Sequence, residues 1–413
     1  MRAEVISIGT ELLLGELVDT NSVYIAQQLA SIGLDLHFKT TVGDNRSRIA
    51  EVLRAALSRC DVVITTGGLG PTVDDMTREA VADVAERPLV LVPELLAFIE
   101  SLFTRWGRTM TENNRRQAYV PEGCTIIENP VGTAPCFAVE TPQGVIISLP
   151  GVPREMKHLM ETWVLPYLRT RNGGGDEVIK SLTLRTCALG ESQLGALIGD
   201  LMANANPTVG TAAHSGQTDV RITAKASTRQ EADQLIAATE AQVRQRLGHA
   251  IYGTGKETLD EVVVRLLQQA GQRLALLETN TAGEMAQRLL ALPGGADVLA
   301  SAEAASALEG LAAQVEASSE PLWMQPQAVE ALALALRARS GADLALVLVG
   351  SLEAAETYAE RSGATQAALA HGAGVLQQTY RRGGTNEHTR RWVATQSLDM
   401  VRRYLLGAPQ SSL

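Results

Sequence analysis

The sequence predicts an α/β protein with a doubly wound parallel sheet at its N-terminus, and two observations carry this prediction. Short apolar runs alternate with longer amphipathic runs through residues 1–165, which is the pattern of βαβ units. The apolar run at residues 62–64 also leads into the sequence GGLGPTVDD, residues 67–75, here called the glycine loop. A buried strand, a glycine-rich turn and a helix start, in that order, are typical of the ligand-binding edge of such a sheet.

The elements of this first domain follow from the spacing of its apolar residues. Ile25, Leu29 and Ile32 recur at helical spacing, whereas strands show as short continuous apolar runs. We predict strands over residues 4–8, 36–42, 61–65, 125–127 and 144–149, and helices over residues 21–32, 46–58, 79–86 and 93–106.

Two further domains are expected after the first. Residues 166–252 have the order β-α-β-β-α, which is typical of a small α+β domain, and residues 253–413 return to α/β alternation. The predicted strands are 178–187, 208–212, 219–226, 273–277 and 342–349, and the predicted helices are 191–202, 228–247, 258–270, 284–292, 326–340 and 389–406.

Composition excludes several classes of protein. A net charge of −10 argues against binding driven by nucleic-acid phosphates. No apolar run approaches the length of a membrane span, and the charged start at Arg2 does not resemble a signal peptide. The four scattered cysteines suit a reducing compartment. We therefore expect a soluble cytoplasmic protein that contacts no membrane.

The glycine loop has the composition of a phosphate site. Glycines such as Gly67, Gly68 and Gly70 let backbone N–H groups approach a phosphate closely, and the following helix N-terminus favours negative charge. Carboxylates repel phosphate, but beside one they suit a bridging divalent cation or a base for an attacking water. The alternative is that an aspartate caps the next helix. The loop's candidate residues are Gly67, Gly68, Gly70, Thr72, Asp74 and Asp75.

Three other loops follow predicted strands and end at the same edge of the sheet. Each one alone is more typical of a turn or a cap. Together with the glycine loop they favour a ligand site, because the carboxyl ends of parallel strands meet at one edge. Their candidate residues are Glu11 and Asn21 in the first loop, Asp44 in the second, and Asn129, Gly132 and Thr133 in the third.

Five stretches of the first domain form one specific set of motifs: GTELLLGELVDTN (9–21), TTGGLGPTVDDMT (65–77), ENNRRQAYVPEG (112–123), NPVGTAPCF (129–137) and LPGVPREM (149–156). In these motifs the chain resembles the CinA (competence/damage-inducible) family. The first domain is similar to molybdopterin-binding domains of molybdenum-cofactor biosynthesis, the middle domain resembles a KH-type fold, and the last resembles nicotinamide-nucleotide amidases.

The resemblance implies an activity and roles for three residues. It implies hydrolysis of the pyrophosphate of ADP-ribose with a divalent metal ion, Mg²⁺, Mn²⁺ or Co²⁺. By motif, Asp75 and Asp44 match positions that act in nucleotide and phosphoryl chemistry in the related cofactor proteins, whereas Asp74 is particular to the CinA-type loop. We therefore expect Asp74 and Asp75 to hold the metal, and Asp75 and Asp44 to be catalytic.

The last two domains depart from the patterns they resemble. The amidase nucleophile is a serine in A-E-S-C-T-G-G, but this chain has LETNTAG at residues 277–283, so Thr279 stands at the nucleophile position. The family's catalytic lysine has no counterpart, since no lysine follows Lys256. The middle domain lacks a GxxG loop between helix and strand. We expect neither amide hydrolysis nor nucleic-acid binding.

Alternative functions remain open at this stage. The first domain could hold a pterin or a nucleotide phosphate without turnover, as a regulator or scaffold linked to competence and recombination. The last domain could still deamidate nicotinamide mononucleotide. The expected partners are a nucleotide substrate, a second copy of the chain in a homodimer by analogy with the family, and a protein of competence or recombination.

Overall fold

The computed structural model describes residues 1–172, 177–304, 321–352 and 363–410. The chain forms two compact units. The first consists of Met1–Lys180 and Ala224–Gln234, and the second consists of Ser181–Thr223 and Leu235–Leu413. The domain boundaries predicted after residues 165 and 252 stay predictions.

The first unit is built on a six-stranded sheet with the strand order β2-β1-β3-β8-β7-β6. Four neighbouring strands are parallel, and β7 and β6 continue the sheet in antiparallel pairing. All five residues of β3 are buried, as expected for a central parallel strand. The strands are β1 (Arg2–Ile8), β2 (Asp35–Val42), β3 (Val62–Thr66), β6 (Thr125–Ile127), β7 (Cys136–Glu140) and β8 (Val145–Leu149); a separate two-stranded sheet pairs β4 (Leu89–Leu91) with β5 (Tyr119–Pro121).

Helices cover the sheet, and two of them, α2 and α3, begin at side-chain caps. Asp19 accepts a hydrogen bond from the Ser22 N–H at the start of α2, and Asn45 accepts one from the Arg48 N–H at the start of α3. The helices are α1 (Thr10–Leu13), α2 (Thr20–Ala30), α3 (Arg46–Leu57), α4 (Thr77–Ala85), α5 (Pro93–Arg105), α6 (Pro153–Leu159) and α7 (Leu165–Arg171), with a 3₁₀ helix at Glu112–Ala118.

The middle of the chain forms a four-stranded sheet with the order β10-β11-β9-β12. Its strands are β9 (Val178–Thr186), β10 (Thr208–His214), β11 (Gln217–Ala226) and β12 (Ile251–Thr254), and its helices are α8 (Glu191–Met202) and α9 (Arg229–Leu247).

The last part of the chain has a five-stranded sheet with the order β14-β13-β15-β16-β17. The first three strands are parallel and the last two antiparallel. Cys187 and Tyr252 from the middle of the chain share its hydrophobic core with Leu398 and Val401. The elements are α10 (Leu259–Ala270), β13 (Leu274–Glu278), α11 (Glu284–Leu290), α12 (Gly295–Val298), β14 (Leu299–Ala304), α13 (Pro326–Ser340), β15 (Leu344–Gly350), β16 (Thr365–His371), β17 (Gly374–Tyr380) and α14 (Glu387–Leu405).

The predicted α/β fold class is confirmed. The six-stranded and five-stranded sheets both combine parallel and antiparallel strands, and the strands at the centre of the six-stranded sheet are parallel. The structure adds antiparallel strands that the sequence reading omitted. The loop predicted over residues 129–137 ends earlier, since Cys136 and Phe137 open β7 and are fully buried. Across the described residues, no helix is both long and apolar enough to span a bilayer.

Candidate active site

The glycine loop leaves β3 at two positions that only glycine can occupy without strain. Gly67 and Gly68 have φ values of 109° and 66°, which L side chains rarely adopt. A Cβ at Gly67 would lie 2.1 Å from the Ile8 carbonyl oxygen, and one at Gly68 would lie 2.2 Å from Thr77 Oγ1. The Gly67 N–H donates to the Leu149 carbonyl over 3.1 Å. The start of the loop is therefore pressed against the ends of the neighbouring strands.

Arg78, in the first turn of α4, supports the loop from behind. Its guanidinium is buried and donates to the carbonyl oxygens of Leu69 and Gly70 over 2.7 and 2.6 Å. Burial lowers the pKa of this guanidinium. Among the residues that the structure describes, the N–H groups of Gly68 and Leu69 have no protein acceptor. The loop thus offers two amide donors above a buried positive charge, which suits an anion.

Asp75 closes the far end of the loop. One of its carboxylate oxygens accepts a hydrogen bond from the Gly70 N–H over 2.8 Å. The other accepts from the Thr72 N–H, also over 2.8 Å, and from the Thr72 hydroxyl. Asp74 is exposed beside it. Asp75 therefore has a structural task in the loop, and its predicted catalytic and metal-binding roles stay predictions.

Two carboxylates come from loops that follow β1 and β2. Asp44 Oδ2 accepts hydrogen bonds from the N–H and the hydroxyl of Thr10, over 2.7 and 2.9 Å, which ties these two loops together. The Glu11 carboxylate folds back over Gly9, where an added Cβ would lie 2.6 Å from Glu11 Oε1. Both carboxylates line the same cleft as the glycine loop.

Glu155 also lines the cleft, although it is not among the site residues predicted from the sequence. The buried Asn129 amide donates to Glu155 Oε2 over 2.6 Å and to the Ala134 carbonyl over 3.1 Å. A Cβ at Gly132 would lie 1.9 Å from the same carboxylate oxygen. Burial raises the pKa of Glu155, and the hydrogen bond from Asn129 partly offsets the rise. The available signal was its position inside the LPGVPREM motif.

These residues enclose a cleft of about 420 Å³ at the carboxyl ends of β1 and β3. Four predicted site residues are not part of this lining. Among these, Asn21 Nδ2 donates to Thr66 Oγ1 and to the Gly151 carbonyl, over 3.1 and 2.8 Å. The predicted residues that line the cleft are Glu11, Asp44, Gly67, Gly68, Gly70, Asp74, Asp75 and Thr133; residues not predicted that also line it include Gln117 and Glu155; and the predicted residues outside the lining are Asn21, Thr72, Asn129 and Gly132.

In the last part of the chain, Thr279 is buried and hydrogen-bonded. Its hydroxyl oxygen accepts from the Gly350 N–H over 2.9 Å. The neighbouring Asn280 donates to Thr365 Oγ1 over 2.9 Å, and it fills the space where a Cβ at Gly350 would lie 2.3 Å from Asn280 Cγ. The predicted inactivity of this domain as an amidase stays a prediction.

Three family models match successive parts of the chain: the probable molybdopterin binding domain over residues 4–170, the KH domain of damage-inducible protein CinA over 181–253, and the CinA C-terminal domain over 256–405. Together with the glycine loop at the edge of a parallel-centred sheet, they define a multidomain protein with a molybdopterin-binding-type first domain.

The relatives give the family. A competence-damage inducible protein of Symbiobacterium thermophilum is 38% identical over 423 residues, which cover 98% of this chain and 99% of the relative. A competence-damage inducible protein of Halothermothrix orenii is 44% identical over 294 residues, which cover 71% of this chain and 70% of the relative. The chain belongs to the CinA family. A crystal structure of a CinA of unknown function from Thermoplasma acidophilum shares 35% identity over 41% of this chain and 96% of that one, with a TM-score of 0.37.

Proposed function

We propose that the N-terminal cleft hydrolyses the pyrophosphate of ADP-ribose or of a related nucleoside diphosphate sugar. The supporting observation is that the acceptor-free N–H groups of the glycine loop and the carboxylates of Asp44 and Asp74 belong to one cleft. Amide donors bind phosphate oxygens, and carboxylates near a phosphate suit a bridging cation. Glu11, Gln117 and Thr133 line the rest of the cleft, where they would contact ribose and base.

The donor set fits a divalent ion that is shared with the substrate. Among the described residues, no three His, Cys, Asp or Glu side chains converge as a protein cage for a metal. Mg²⁺ commonly keeps several waters and uses only one or two carboxylates together with substrate phosphates. Asp74 suits this role, with Asp75 as the second predicted ligand. When bound, Mg²⁺, Mn²⁺ or Co²⁺ would polarise the pyrophosphate and acidify a bound water.

Glu155 is our candidate for the proton acceptor. A general base works best when its pKa approaches the working pH, and burial shifts the pKa of Glu155 in that direction. Asn129 holds one carboxylate oxygen in a fixed position. Asp44, which the sequence predicts as a catalytic residue, lies on the adjacent loop and would orient the attacking water. Asp75 would keep the loop amides in place for the phosphates.

The test is product formation by the purified full chain. ADP-ribose is incubated with Mg²⁺, Mn²⁺ or Co²⁺ in turn, and AMP and ribose 5-phosphate are measured by chromatography, with a chelator as the control. We expect equal amounts of the two products, and none with the chelator. If ADP-ribose bound saturably but no AMP formed with any of the three metals, the proposed hydrolysis would be refuted, while the proposed phosphate-binding site would stand.

A second candidate function is nucleotide or pterin binding without turnover. The observation in its favour is that both oxygens of Asp75 accept hydrogen bonds within the loop. This shapes the loop for a phosphate, which a protein that only binds the nucleotide needs as much as an enzyme does. The same incubation separates the two functions. A calorimetric titration that gives a tight complex, together with unchanged ADP-ribose after prolonged incubation, would favour the binding module.

The remaining expectations concern the last domain and the partners. We expect no ammonia from nicotinamide mononucleotide, because Thr279 is buried and the chain has no lysine after Lys256. Ammonia release by the full chain would contradict this. The homodimer stays a prediction that sedimentation equilibrium checks, and the protein of competence or recombination stays a prediction that affinity capture checks.

A further inference from the structure

We propose that Thr133 is a specificity-determining residue of the N-terminal cleft, and that its hydroxyl donates a hydrogen bond to an unprotonated ring nitrogen of the nucleotide base. Thr133 lines the cleft together with Gln117 and Ala134. This role of Thr133 rests on the proposed function, in which the ligand of the cleft is a nucleotide. Asn114 and Gln117 are positioning residues, because they determine which group Thr133 presents to that ligand.

A chain of hydrogen bonds leads from Thr111 to the wall of the cleft. The N–H and the hydroxyl of Thr111 donate to Asn114 Oδ1 over 3.3 and 2.8 Å. Asn114 Nδ2 donates to Gln117 Oε1 over 3.2 Å, and Gln117 Nε2 donates to Thr133 Oγ1 over 3.3 Å. Asn114 and Gln117 are buried, so their amide groups depend on these partners.

The backbone N–H of Thr111 fixes the direction of this hydrogen-bond chain. A backbone N–H can only donate, so the Asn114 atom that faces it must be the carbonyl oxygen. A flipped Asn114 amide would place two donors against each other. Gln117 must then present its oxygen to Asn114 and its nitrogen to Thr133, whose own oxygen accepts.

The Thr133 hydroxyl is thereby left with a hydrogen to donate. This hydrogen cannot point at Gln117, because the Gln117 amide donates there. Among the residues that the structure describes, no acceptor takes it, so it is available to a ligand in the cleft. A ligand without an acceptor at this position would displace water and leave the hydroxyl unpaired, which costs affinity.

The wall around Thr133 is uncharged, which favours a base over a phosphate as its partner. Gln117, Thr133 and Ala134 form this wall. The donors that suit an anion belong to the glycine loop, where the buried Arg78 guanidinium lies behind the amides. A purine ring nitrogen is an uncharged acceptor that carries no hydrogen, as a single neutral hydroxyl requires. An exocyclic amino group fits this position less well, because Gln117 also turns its nitrogen toward Thr133.

Calorimetric titration of the full chain tests the contact, with a chelator present so that no hydrolysis is expected. The ligands are ADP-ribose and three analogues in which N1, N3 or N7 of adenine is replaced by C–H. We expect one analogue to bind about tenfold more weakly than ADP-ribose, since losing one hydrogen bond to an otherwise unpaired group changes affinity by about that factor. Equal affinity of ADP-ribose and all three analogues would overturn the proposal.

Substitutions of Thr133 test whether its hydroxyl makes the discrimination. In Thr133→Val, ADP-ribose should bind as weakly as the disfavoured analogue, because no hydroxyl remains. Thr133→Ser retains a hydroxyl and should still discriminate between the two ligands. If Thr133→Val weakened ADP-ribose and every analogue by the same factor, the hydroxyl would serve the phosphates or the fold, and its role in base recognition would be refuted.

Asn114→Asp tests the direction of the chain at a residue outside the cleft lining. The change replaces the nitrogen that donates to Gln117 with a second acceptor oxygen, so Gln117 must rotate its amide and present Oε1 to Thr133. The Thr133 hydrogen would then be donated to Gln117. The variant should bind ADP-ribose about tenfold more weakly, and it should bind the disfavoured analogue as the wild type does.

The matched control is Asn113→Asp, because Asn113 is exposed on the same 3₁₀ helix and the change adds the same charge. It should alter neither affinity. If Asn114→Asp weakened ADP-ribose and the analogue alike, Asn114 would have a structural role only, and the proposed direction would be refuted. A wild type that binds ADP-ribose but releases no AMP with metal would refute hydrolysis, while the affinities would still decide the contact. A wild type that binds no ADP-ribose would refute both.

Discussion

The side-chain amide of Asn129 donates to the Glu155 carboxylate over 2.6 Å, although the two residues come from different loops of the first unit. Asn129 is buried, and Glu155 faces the cleft. The hydrogen bond favours the charged carboxylate, whereas burial favours the neutral acid and has the larger effect on the pKa. The pair sets both the position and the proton affinity of the carboxylate that we propose as the base.

The first prediction concerns the pH dependence of hydrolysis. Only the ionised form of Glu155 accepts a proton, so the rate should fall as the pH drops through its raised pKa. Asn129→Ala removes a hydrogen bond to the charged form, and it should move this acid limb to higher pH. The measurement is kcat/KM for ADP-ribose between pH 4 and 8. An unchanged limb in Asn129→Ala would contradict the role of Glu155 as base.

Glu155→Gln should separate activity from stability. It should lower kcat by about 10²-fold or more, which is typical of removing a general base. Because the folded-state pKa is raised, ionisation of Glu155 costs stability at pH values above its unfolded pKa. Glu155→Gln should therefore match or exceed the wild type in Tm at pH 8, and this advantage should shrink at pH 4. A variant that is inactive and less stable at pH 8 would indicate a structural role only.

Gly132→Ala should displace the Glu155 carboxylate. The added Cβ would lie 1.9 Å from Oε2, which is far inside van der Waals contact, so the carboxylate must move. We expect hydrolysis to fall about tenfold or more, in line with the sensitivity of catalysis to small misplacements. The control is Gly199→Ala on α8, where a Cβ meets nothing within 4 Å. It should leave activity unchanged and stabilise its helix by about 0.5–1 kcal/mol.

Arg78→Lys should weaken the glycine loop. A lysine ammonium cannot reproduce the two-pronged contact with the carbonyls of Leu69 and Gly70. We expect a loss of roughly 2 kcal/mol in the free energy of unfolding, from poorer hydrogen bonding of a buried charge, and weaker ADP-ribose binding. Urea unfolding and calorimetry measure the two effects. Arg115→Lys, on an exposed side chain, should change neither, and equal behaviour of both variants would refute the role of Arg78.

Asp74 and Asp75 should respond differently to removal of their charge. Asp75→Asn places an amide donor where the loop needs an acceptor for Gly70 or Thr72, so it should weaken ADP-ribose binding even with a chelator present. Asp74→Asn should leave metal-free binding intact and raise the metal concentration needed for hydrolysis. Calorimetry with a chelator and AMP release against metal concentration distinguish them. Identical defects in both variants would contradict this division.

Much of the first domain was accessible from its sequence. The glycine loop could be placed because a buried strand, three glycines and a helix start occupy adjacent positions, and strand ends at one edge brought Glu11 and Asp44 to the same cleft. The antiparallel strand β7 was missed, because four of its five residues are buried, and a short buried run has no alternating pattern by which the sequence could distinguish a strand from a loop.

The missed site residues depend on contacts that periodicity does not report. Arg78 sits in a helix-forming run, and only the tertiary structure directs its guanidinium to the loop carbonyls. Glu155 is 26 positions from Asn129 in the chain, and its burial, not its residue type, gives it an unusual pKa. Asp75 was nominated for its charge, whereas its geometry shows a carboxylate engaged in holding the loop.

The hydroxyl of Thr66 joins three distant parts of the chain. It accepts from Asn21 Nδ2 and donates to the Pro150 carbonyl over 3.0 Å, and Asn21 also reaches Gly151. The rim of the cleft is thus preorganised before any ligand arrives. A nucleotide bound there would have few protein groups to order, so most of its interaction energy would be retained as affinity. Loosening this junction should therefore raise the dissociation rate of a bound nucleotide.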